Sequence, residues 1–364
     1  MSALSGGVFA AESSDGLDEL RSLVADLGTR SVQARVGQRR LPEEFDAAAW
    51  ANLEETGLSR LTTTPELEAG PGEAAVVLRG LAYHAVAAPI AETDVLAAWL
   101  ARTAGVGVPG AGPLTVAVGP AVRDGDRLRG TAGDVPWTRA AGRVVLVAST
   151  DDAILVGSAS PGDLDVVDGY NVAGEPRDGV SYALAVDDFR PIGAAVLGEF
   201  TRRGAWARCV QCIGALDRAA ELSVAHVRER VQFGRPLSRF QAVQHSLAQM
   251  AGEIERGRAA TTLAVAAASD HGFASPQADY AVTMAKVVLG RVVPGVATAA
   301  HQLHGAIGVT IEHALWSATN RAHSWIDEFG GTDRYARRLG RVALSRSGAP
   351  LWDVLTGTDT GGFA

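Results

Sequence analysis

The second half of the chain is a nearly continuous series of helical segments, and this feature restricts the possible folds most. Apolar residues recur three and four positions apart over about 197–231, 237–268, 275–303, 310–328 and 333–346. The breaks between these segments are short and contain Gly or Pro, as in "FGRP", "DHGFASP" and "HGAIG". Because long helices joined by short loops pack antiparallel, the pattern predicts a C-terminal four-helix bundle.

The first 195 residues divide into a helical region and a region of short strands. The segments "LDELRSLVADLG" and "FDAAAWANLEETG" have helical periodicity and end on glycine, and "EAAVVLRGLAYHAVAAPI" and "ETDVLAAWLARTAG" continue it. Runs such as "RVVLVAS", "AILVGS" and "VSYALAV" are separated by turn residues, which predicts a compact antiparallel β-domain. The chain is therefore predicted to be mainly α with a central β-domain. The predicted divisions are an N-terminal helical domain (1–111), a β-domain (112–195), a helical bundle (196–350) and a tail (351–364).

Composition and charge argue against several classes of protein. A hydrophobic content of 47% with 20% charged residues is typical of globular domains. The net charge of −8, with no basic stripe, argues against nucleic acid as a partner. The N-terminus lacks the basic segment and apolar run of a signal peptide, and no apolar run is long enough to span a bilayer. These observations predict a cytoplasmic protein without a membrane span.

The metal-binding and redox residue types are sparse. Cys209 and Cys212 form a CxxC, which is found in redox and metal sites, but no second pair of ligands accompanies it. On a helix the two cysteines lie one turn apart on one face, so we interpret them as buried packing residues. No cluster of His, Cys and carboxylate residues predicts a metal, and isolated histidines are interpreted as structural. His304 is the one histidine whose position could also face a nucleotide.

Two blocks of sequence carry a family resemblance. "RERVQFGRPLSRFQAVQHSLAQM" contains Arg-x-Gln-Phe-Gly followed by Pro and Phe-Gln-x-x-Gln, and it resembles the signature of the acyl-CoA dehydrogenase flavoproteins. "QLHGAIGVTIEHALW" is similar to that family's Gln-x-x-Gly-Gly-x-Gly segment, and "NVAGEPRDGVSYALAV" is similar to a β-domain segment of its actinobacterial members. The resemblance covers nearly the whole chain. It implies the acyl-CoA dehydrogenase fold, with helical, β and bundle domains in the order predicted above.

The resemblance implies an FAD site with specific residues. Arg230 would meet the anionic pyrophosphate of an FAD held by a neighbouring subunit, since arginine and backbone N–H groups bind such anions well. Gln232, Phe233 and Gln241 would lie along the same nucleotide. Gln302 would bond near the adenosine and pyrophosphate portion, and Gly305 would let the backbone approach the cofactor. Taken singly, Arg230 could equally be a solvated arginine at a helix end, and a glycine near Phe233 a plain helix stop.

The β-domain carries one further candidate and one departure from the family pattern. Trp137, in "GDVPWTRAAGRVVLVA", lies where the family packs a tryptophan against the flavin, although it could equally fill an interdomain core. Catalytic members usually carry a Thr-Glu-x-x-x-Gly-Ser-Asp loop at the start of this domain. This chain has "GPLTVAVGPAVRDGDRL" instead, so part of the usual flavin and CoA contact surface is missing.

The expected catalytic base is absent from both of its family positions. The family removes the α-proton of an acyl-CoA thioester with a glutamate whose pKa is raised by a dry site. The common position opens a Glu-Gly-Thr motif seven residues before an arginine, and counting back from Arg337 and Arg338 reaches Gly330 and Gly331. The alternative position, in the first bundle helix, falls on Gly204.

Three interpretations of the missing base remain open. A shifted loop could deliver Glu328, or Asp327, as a relocated base. Alternatively, the chain could be the catalytically silent partner in an α2β2 heterotetramer with a second acyl-CoA dehydrogenase subunit, or could catalyse a different flavin reaction on the same fold. The two acids could also be only the polar end of a helix, where they oppose the helix dipole and invite an ion pair, for example with Arg334 or Arg337.

The resemblance also implies substrates and partners. The substrate class is an acyl-CoA thioester, and the electron acceptor is an electron-transfer flavoprotein. The assembly is a homo-oligomer or the α2β2 heterotetramer. The implied setting is lipid metabolism, such as the degradation of fatty acids or steroid side chains.

Overall fold

The computed structural model describes residues 16–35, 40–345 and 353. The chain divides into two compact units. One comprises Met1–Gly37, Pro71–Val86 and Ala205–Ala364, and the other comprises Gln38–Gly70 and Ala87–Gly204. Each unit contains part of the N-terminal helical region. The predicted domain boundaries at residues 111, 195 and 350 stay a prediction. The predicted tail 351–364 lies outside the described residues except for Asp353.

The helices and strands follow the predicted helical, β, helical order. The first helices are α1 Asp18–Ala34, α2 Ala47–Glu55, α3 Pro71–Tyr83, and a π-helix Ala91–Ala98 that continues into α4 Trp99–Ala104. The strands are β1 Leu114–Asp124, β2 Arg127–Pro136, β3 Arg143–Ser149, β4 Ile154–Ala159, β5 Asp165–Val167, β6 Arg177–Ala185 and β7 Arg190–Ile192. After them come α5 Ala194–Glu229, the short strands β8 Val231–Gln232 and β9 Arg235–Pro236, α6 Gln241–His271, α7 Pro276–His304, α8 Ala314–Asp327 and α9 Thr332–Ser345.

The first unit is helical and contains the C-terminal bundle. Its core is made by the apolar faces that the sequence periodicity predicted, with fully buried side chains such as Leu216, Leu289 and Leu315. Helix α7 begins at Pro276, after Ser275 accepts a hydrogen bond from the Ala278 N–H at 3.1 Å. It ends at Gly305, whose φ of +65° suits a residue without Cβ. The C-terminal helical prediction is therefore confirmed, with boundaries that differ by a few residues.

One predicted helix end is wrong. The sequence placed the end of the first helix at Gly28, but α1 continues to Ala34. A Cβ built on Gly28 would lie 2.3 Å from Cδ2 of His84, so this glycine allows α1 and the end of α3 to approach closely. The end predicted at Gly57 is confirmed, since α2 stops at Glu55 and Gly57 has a φ of +75°.

The second unit contains the seven-stranded sheet, in the order β5-β6-β2-β1-β3-β4-β7. The prediction of an antiparallel sheet holds for every named pair but one, because β1 and β3 run parallel from Leu114↔Arg143 to Pro120↔Ser149. A parallel pair needs a long crossover, and β2 with the residues after it supplies that connection. Buried side chains such as Leu128, Leu146 and Phe189 form the core of the sheet.

A buried carboxylate organises the helical part of the second unit. Asp94, within the π-helix, accepts hydrogen bonds from the backbone N–H and hydroxyl groups of Thr62 (both 3.0 Å) and Thr63 (3.1 and 2.9 Å). Burial raises the pKa of Asp94, and these bonds oppose that rise because they stabilise the charged form. The sequence pattern predicted an ordinary α-helix here, and the wider turn was not foreseen.

Among the described residues, one helical stretch is long and apolar enough to cross a membrane by length and composition. It runs from Pro276 to Val309, and 56% of its most apolar window is buried inside the protein. A core helix of a globular protein passes the same test, so this stretch is weak evidence for a membrane span.

Candidate functional site

The Arg-x-Gln-Phe-Gly motif forms an exposed hairpin after α5. Strands β8 and β9 pair through Val231↔Pro236 and Gln232↔Arg235, and the turn between them has φ values of +52° at Phe233 and +77° at Gly234. Two positive φ values are typical of a tight two-residue hairpin. The hairpin closes where the Leu237 N–H donates to the Arg230 carbonyl at 2.9 Å.

The hairpin exposes the side chains that were predicted to contact the nucleotide. Phe233 is 91% exposed, and Arg230 and Gln232 are also exposed. The rings of Phe233 and Phe240 pack in a T-shaped arrangement, with 6.2 Å between ring centroids. The Phe233 ring is therefore almost fully accessible at the tip of the hairpin, and the nucleotide contact predicted for it stays a prediction.

Gln241 and Gln302, the other predicted nucleotide residues, are exposed at the ends of two helices. Gln241 is the first residue of α6, and Gln302 lies in the last turn of α7. Gln302 and Gly305 line an open groove of about 560 Å³, whose lining residues are Ala297, Thr298, His301, Gln302, Gly305, Ala306, Val309 and His323. Nothing lies within 4 Å of a Cβ built on Gly305, so the backbone there is accessible to a ligand.

The structure brings the helix that carries the hairpin to the groove. His226, in the last turn of α5, stacks on His304, which lies between Gln302 and Gly305, with ring centroids 4.5 Å apart. The two separate motifs therefore meet through their helix ends. This contact was not predicted from the sequence, which treated the histidines as isolated.

Trp137 belongs to the other unit and is only 3% exposed. Its backbone has a φ of +55°, and its ring packs edge-on against Phe45 at 6.5 Å. The side chain is therefore packed inside the protein against Phe45, and its contact with a flavin stays a prediction.

Two buried cations bind Glu328 and the backbone at the end of α8. Arg208, whose side chain is 2% exposed, donates from Nε to Glu328 Oε2 at 2.6 Å and from Nη1 to Gln211 Oε1 at 2.7 Å. Lys286 donates from Nζ to the backbone carbonyls of Ile326 and Glu328. A cation at the C-terminal end of a helix complements its dipole, so both contacts stabilise this turn.

Sequence reasoning missed these two cations, although one signal was available. Lys286 is the only lysine in a chain whose other basic residues are arginine. Burial lowers its pKa, and the nearby Cys209, Cys212 and acidic side chains oppose that effect. An ammonium group on a flexible stem can serve two carbonyls at once, which a planar guanidinium does less easily.

The glycines at the predicted base position differ in their backbone geometry. Phe329 has a φ of +57° and Gly330 of +107°, while Gly331 lies outside the left-handed region. Tyr335 donates its hydroxyl to the Phe329 carbonyl at 2.9 Å and so holds the turn from the other side. At Gly330 a Cβ would lie 3.0 Å from Arg334 Cδ, whereas at Gly331 it would meet Asp327 Oδ1 at an ordinary 3.4 Å.

The remaining acidic residues near the predicted base positions are also accounted for. Asp327 is exposed at the end of α8. Gly204 is buried within α5, and Glu199, one turn earlier, pairs with Arg203 at 2.8 Å. Among the residues described, each glutamate near these positions is engaged by an arginine.

The two cysteines are buried and unbonded to each other, which confirms the packing interpretation. Burial raises the pKa of the Cys209 thiol to about 12, so it stays protonated at neutral pH. Cys212 donates weakly to the Ala322 carbonyl at 3.6 Å. Within residues 16–35, 40–345 and 353, no group of three His, Cys, Asp or Glu residues has an arrangement that could hold a metal ion.

Comparison with known proteins agrees with this architecture. Residues 193–344 match the family model of the acyl-CoA dehydrogenase C-terminal domain. The chain is 37% identical over 142 residues to the probable acyl-CoA dehydrogenase FadE2 of Mycobacterium tuberculosis, which covers 38% of this chain and 33% of that protein. It is 29% identical over 337 residues to FadE27 of the same organism, covering 83% of this chain and 89% of that protein.

Among solved structures, the chain resembles the ChsE4-ChsE5 complex from Mycobacterium tuberculosis with a TM-score of 0.79 at 23% identity. That likeness covers 93% of this chain and 99% of the other, and it shows the fold. The chain has the acyl-CoA dehydrogenase fold, and its residues 193–344 match the C-terminal domain of that family. The match to FadE2 spans about a third of that protein's length, whereas the match to FadE27 spans most of it.

Proposed function

We propose that this chain is a subunit of an FAD-dependent acyl-CoA dehydrogenase that desaturates a CoA thioester, and that it is the subunit without a catalytic base. In this proposal it completes an FAD site together with a second, glutamate-bearing subunit in an α2β2 heterotetramer. The assembly acts in the cytoplasm and passes electrons to an electron-transfer flavoprotein. The similarity to a protein solved as a ChsE4-ChsE5 complex supports a mixed assembly.

The observation that carries the proposal is the pairing of Glu328 with Arg208. A general base needs a carboxylate that can accept the substrate's proton. A guanidinium at 2.6 Å stabilises the charged form and occupies the oxygen that would act, so Glu328 is a poor acceptor. At Gly330 the φ of +107° disfavours any side chain, glutamate included.

The residues of the hairpin and groove fit an FAD from a neighbouring subunit. Arg230 would pair with the pyrophosphate, and Gln232, Gln241 and Gln302 would supply hydrogen bonds along the nucleotide. Phe233 would exclude water, because its ring is free to cover an aromatic ligand. Gly305 supports a close backbone approach, since its Cβ position is open. Trp137 stays a candidate for a flavin contact. When bound, FAD would supply the hydride acceptor for the β-hydrogen of the thioester.

Expression of the chain alone and with a glutamate-bearing acyl-CoA dehydrogenase subunit tests the proposal. We expect the lone chain to bind little FAD and to show no bleaching of flavin absorbance by acyl-CoAs. In the mixed assembly, Glu328→Gln should change the bleaching rate by less than about twofold, because the base lies on the other subunit. Bleaching by the lone chain that Glu328→Gln abolishes would show instead that Glu328 is the base.

The role of Arg230 is tested in the same assembly. Arg230→Gln should reduce the FAD content of the purified complex, because the pyrophosphate loses a charged partner. Arg239→Gln is the matched control, since Arg239 is also exposed and lies nine residues further along, outside the hairpin. Equal flavin loss in both variants would contradict the assignment of Arg230.

A further inference from the structure

The stacked imidazoles of His226 and His304 connect the two candidate nucleotide-binding elements directly. Their ring planes are inclined by 23°, with centroids 4.5 Å apart. His226 is also bound to the hairpin, because its carbonyl accepts the Arg230 N–H at 2.8 Å. His304 lies in the α7 turn that carries Gln302 and leads to Gly305. A change in the stack would therefore move the hairpin relative to the groove.

The hydrogen bonds of His304 show which of its nitrogens carries the proton. Nδ1 lies 2.8 Å from the Ala300 carbonyl, and a carbonyl can only accept, so Nδ1 is the donor. Nε2 is buried and has no hydrogen-bond partner among the described residues. A second proton on His304 would thus place a donor in the interior without an acceptor. The surroundings of His304 in the stack therefore provide no hydrogen-bond acceptor for a proton on Nε2 among the described residues.

A third imidazole closes the stack from the other side. His313, at the start of α8, meets the His304 ring edge-on at 5.0 Å, and its Nδ1 accepts the Leu315 N–H at 3.1 Å. His313 Nδ1 is therefore an acceptor, which requires that nitrogen to be unprotonated. The ends of α5 and α7 and the start of α8 are thus held together by three rings.

His226 is half-buried whereas His304 is only 6% exposed, so solvent protons reach His226 more readily than His304. Burial, the neighbouring His304 and the positive charge of Arg230 lower the pKa of His226, and Glu229 opposes them. On α7 and α8, burial likewise lowers the pKa values of His301 and His323, with Asp327 opposing at His323. Acidification therefore adds positive charge where Arg230 already supplies one.

We propose that His226 and His304 are positioning residues for the flavin nucleotide, and that a proton on His226 opens the stack and weakens FAD binding. The part that concerns FAD rests on the proposed function, whereas the opening of the stack does not. When the stack is open, the His226 side chain is exposed to solvent and its pKa is near the ordinary histidine value of about 6.5. Below that pH the open form binds the proton more readily than the closed form, whose His226 pKa is lowered, so the ratio of closed to open form falls by up to about tenfold per pH unit.

The opening is measured without flavin, as the hydrogen-exchange protection of the amides of residues 231–235 and 237 between pH 7.5 and 5.5. Each rate is corrected for the intrinsic effect of pH. The Leu237 amide is the most direct probe, because it donates to the Arg230 carbonyl across the hairpin. In the unchanged protein, protection should fall by up to about tenfold for each pH unit below 6.5.

Three variants separate titration from packing. His226→Phe keeps an aromatic ring but has no proton to gain, so protection should stay high at both pH values. His226→Ala removes the stack, so protection should be low at both. His271→Phe is the matched control, because His271 is exposed at the end of α6, and it should behave like the unchanged protein. The same pH dependence in His226→Phe as in the unchanged protein would overturn the proposal.

A second measurement connects the stack to FAD. The dissociation constant of FAD for the assembled protein, followed by quenching of flavin fluorescence, should rise as the pH falls to 5.5 and should stay constant in His226→Phe. If the dissociation constant of FAD rises equally in the unchanged protein and in His226→Phe, the positioning role is overturned. If no assembly binds FAD at any pH, the proposed function fails, while the exchange experiment still decides whether His226 opens the stack.

Discussion

Nε of Arg208 lies 2.6 Å from Oε2 of Glu328, and this contact joins the interior of α5 to the turn after α8. The arginine side chain is almost completely buried and the glutamate is 23% exposed. The pair holds the turn that carries Glu328, so under the proposed function its removal should affect stability and leave chemistry unchanged.

Arg208→Met should lower the free energy of unfolding by about 3 kcal/mol, because a largely buried carboxylate is left without its cation. The double variant Arg208→Met with Glu328→Met should recover part of that loss, since neither charge then remains buried alone. Urea denaturation measures both. As a control, Arg129→Met breaks an ion pair whose side chains are 61% and 63% exposed, and it should cost less than about 1 kcal/mol. Similar losses at the two arginines would contradict the buried pair.

The two glycines of the turn should respond differently to the same substitution. Gly330→Glu should destabilise the protein by about 1–3 kcal/mol, because a side chain at a φ of +107° is strained and crowds Arg334. Gly331→Glu should cost less, since its backbone is ordinary and its nearest contact is 3.4 Å away. Thermal unfolding of the two variants compares them. A larger loss at Gly331 would show that the turn is shaped differently.

Gly290 in α7 should not tolerate even one added methyl group. A Cβ there would lie 1.7 Å from Oγ1 of Thr332, the first residue of α9, so Gly290→Ala should force the two helices apart. The expected loss is about 1–3 kcal/mol, typical of overpacking. Gly295→Ala, on the same helix with nothing within 4 Å, should be neutral or stabilising by up to about 1 kcal/mol. Chemical denaturation of both proteins distinguishes crowding from a general effect of glycine.

Phe233→Ser should separate stability from assembly. The side chain is 91% exposed, so its loss should change the melting temperature little while it lowers the FAD content and the oligomeric mass. Leu263→Ser is the matched control, because Leu263 is an apolar residue of α6 with 49% exposure. Light scattering measures the oligomeric mass, and flavin absorbance measures the FAD content. An unchanged oligomeric mass would show that the hairpin is not part of the subunit interface.

Stability should decrease as the pH falls below about 6.5, the ordinary pKa of histidine. Burial lowers the pKa values of His84, His226, His301 and His323 in the folded protein. A lowered pKa means that the unfolded chain binds the proton first, so each histidine contributes stability that is present above 6.5 and lost below it. Urea midpoints at pH 7.5, 6.5 and 5.5 should decline in that order.

The removal of one histidine should reduce that decline. His84→Gln should make the midpoint less sensitive to pH, because burial and the neighbouring Arg218 lower the pKa of His84 in the folded protein. The measurements stay above pH 5, because the carboxyl groups of Asp94 and Glu221, whose pKa values burial raises, act in the opposite direction. A urea midpoint that rises as the pH falls to 5.5 would contradict the lowered histidine pKa values.

The sequence by itself determined the classes of element, their order and the family. Helical periodicity and turn residues are local patterns, and the two spaced motifs are local too, so a linear reading finds α5 to α9 and the hairpin residues. It also predicted that the usual base positions fall on Gly330, Gly331 and Gly204, which stays a prediction. It failed where a residue's role depends on a distant neighbour, as at Gly28, which packs against His84 and does not end its helix.

Only the tertiary structure decided the state of the acidic pair and of the histidines. Arg208 and Glu328 are 120 positions apart, and their contact exists because the bundle places α5 against the end of α8. The same packing brings His226 to His304 and closes the C-terminal end of α8 with Lys286. A charge or an imidazole is an acid, a base or a support according to what surrounds it, and those surroundings come from helices that no local pattern relates.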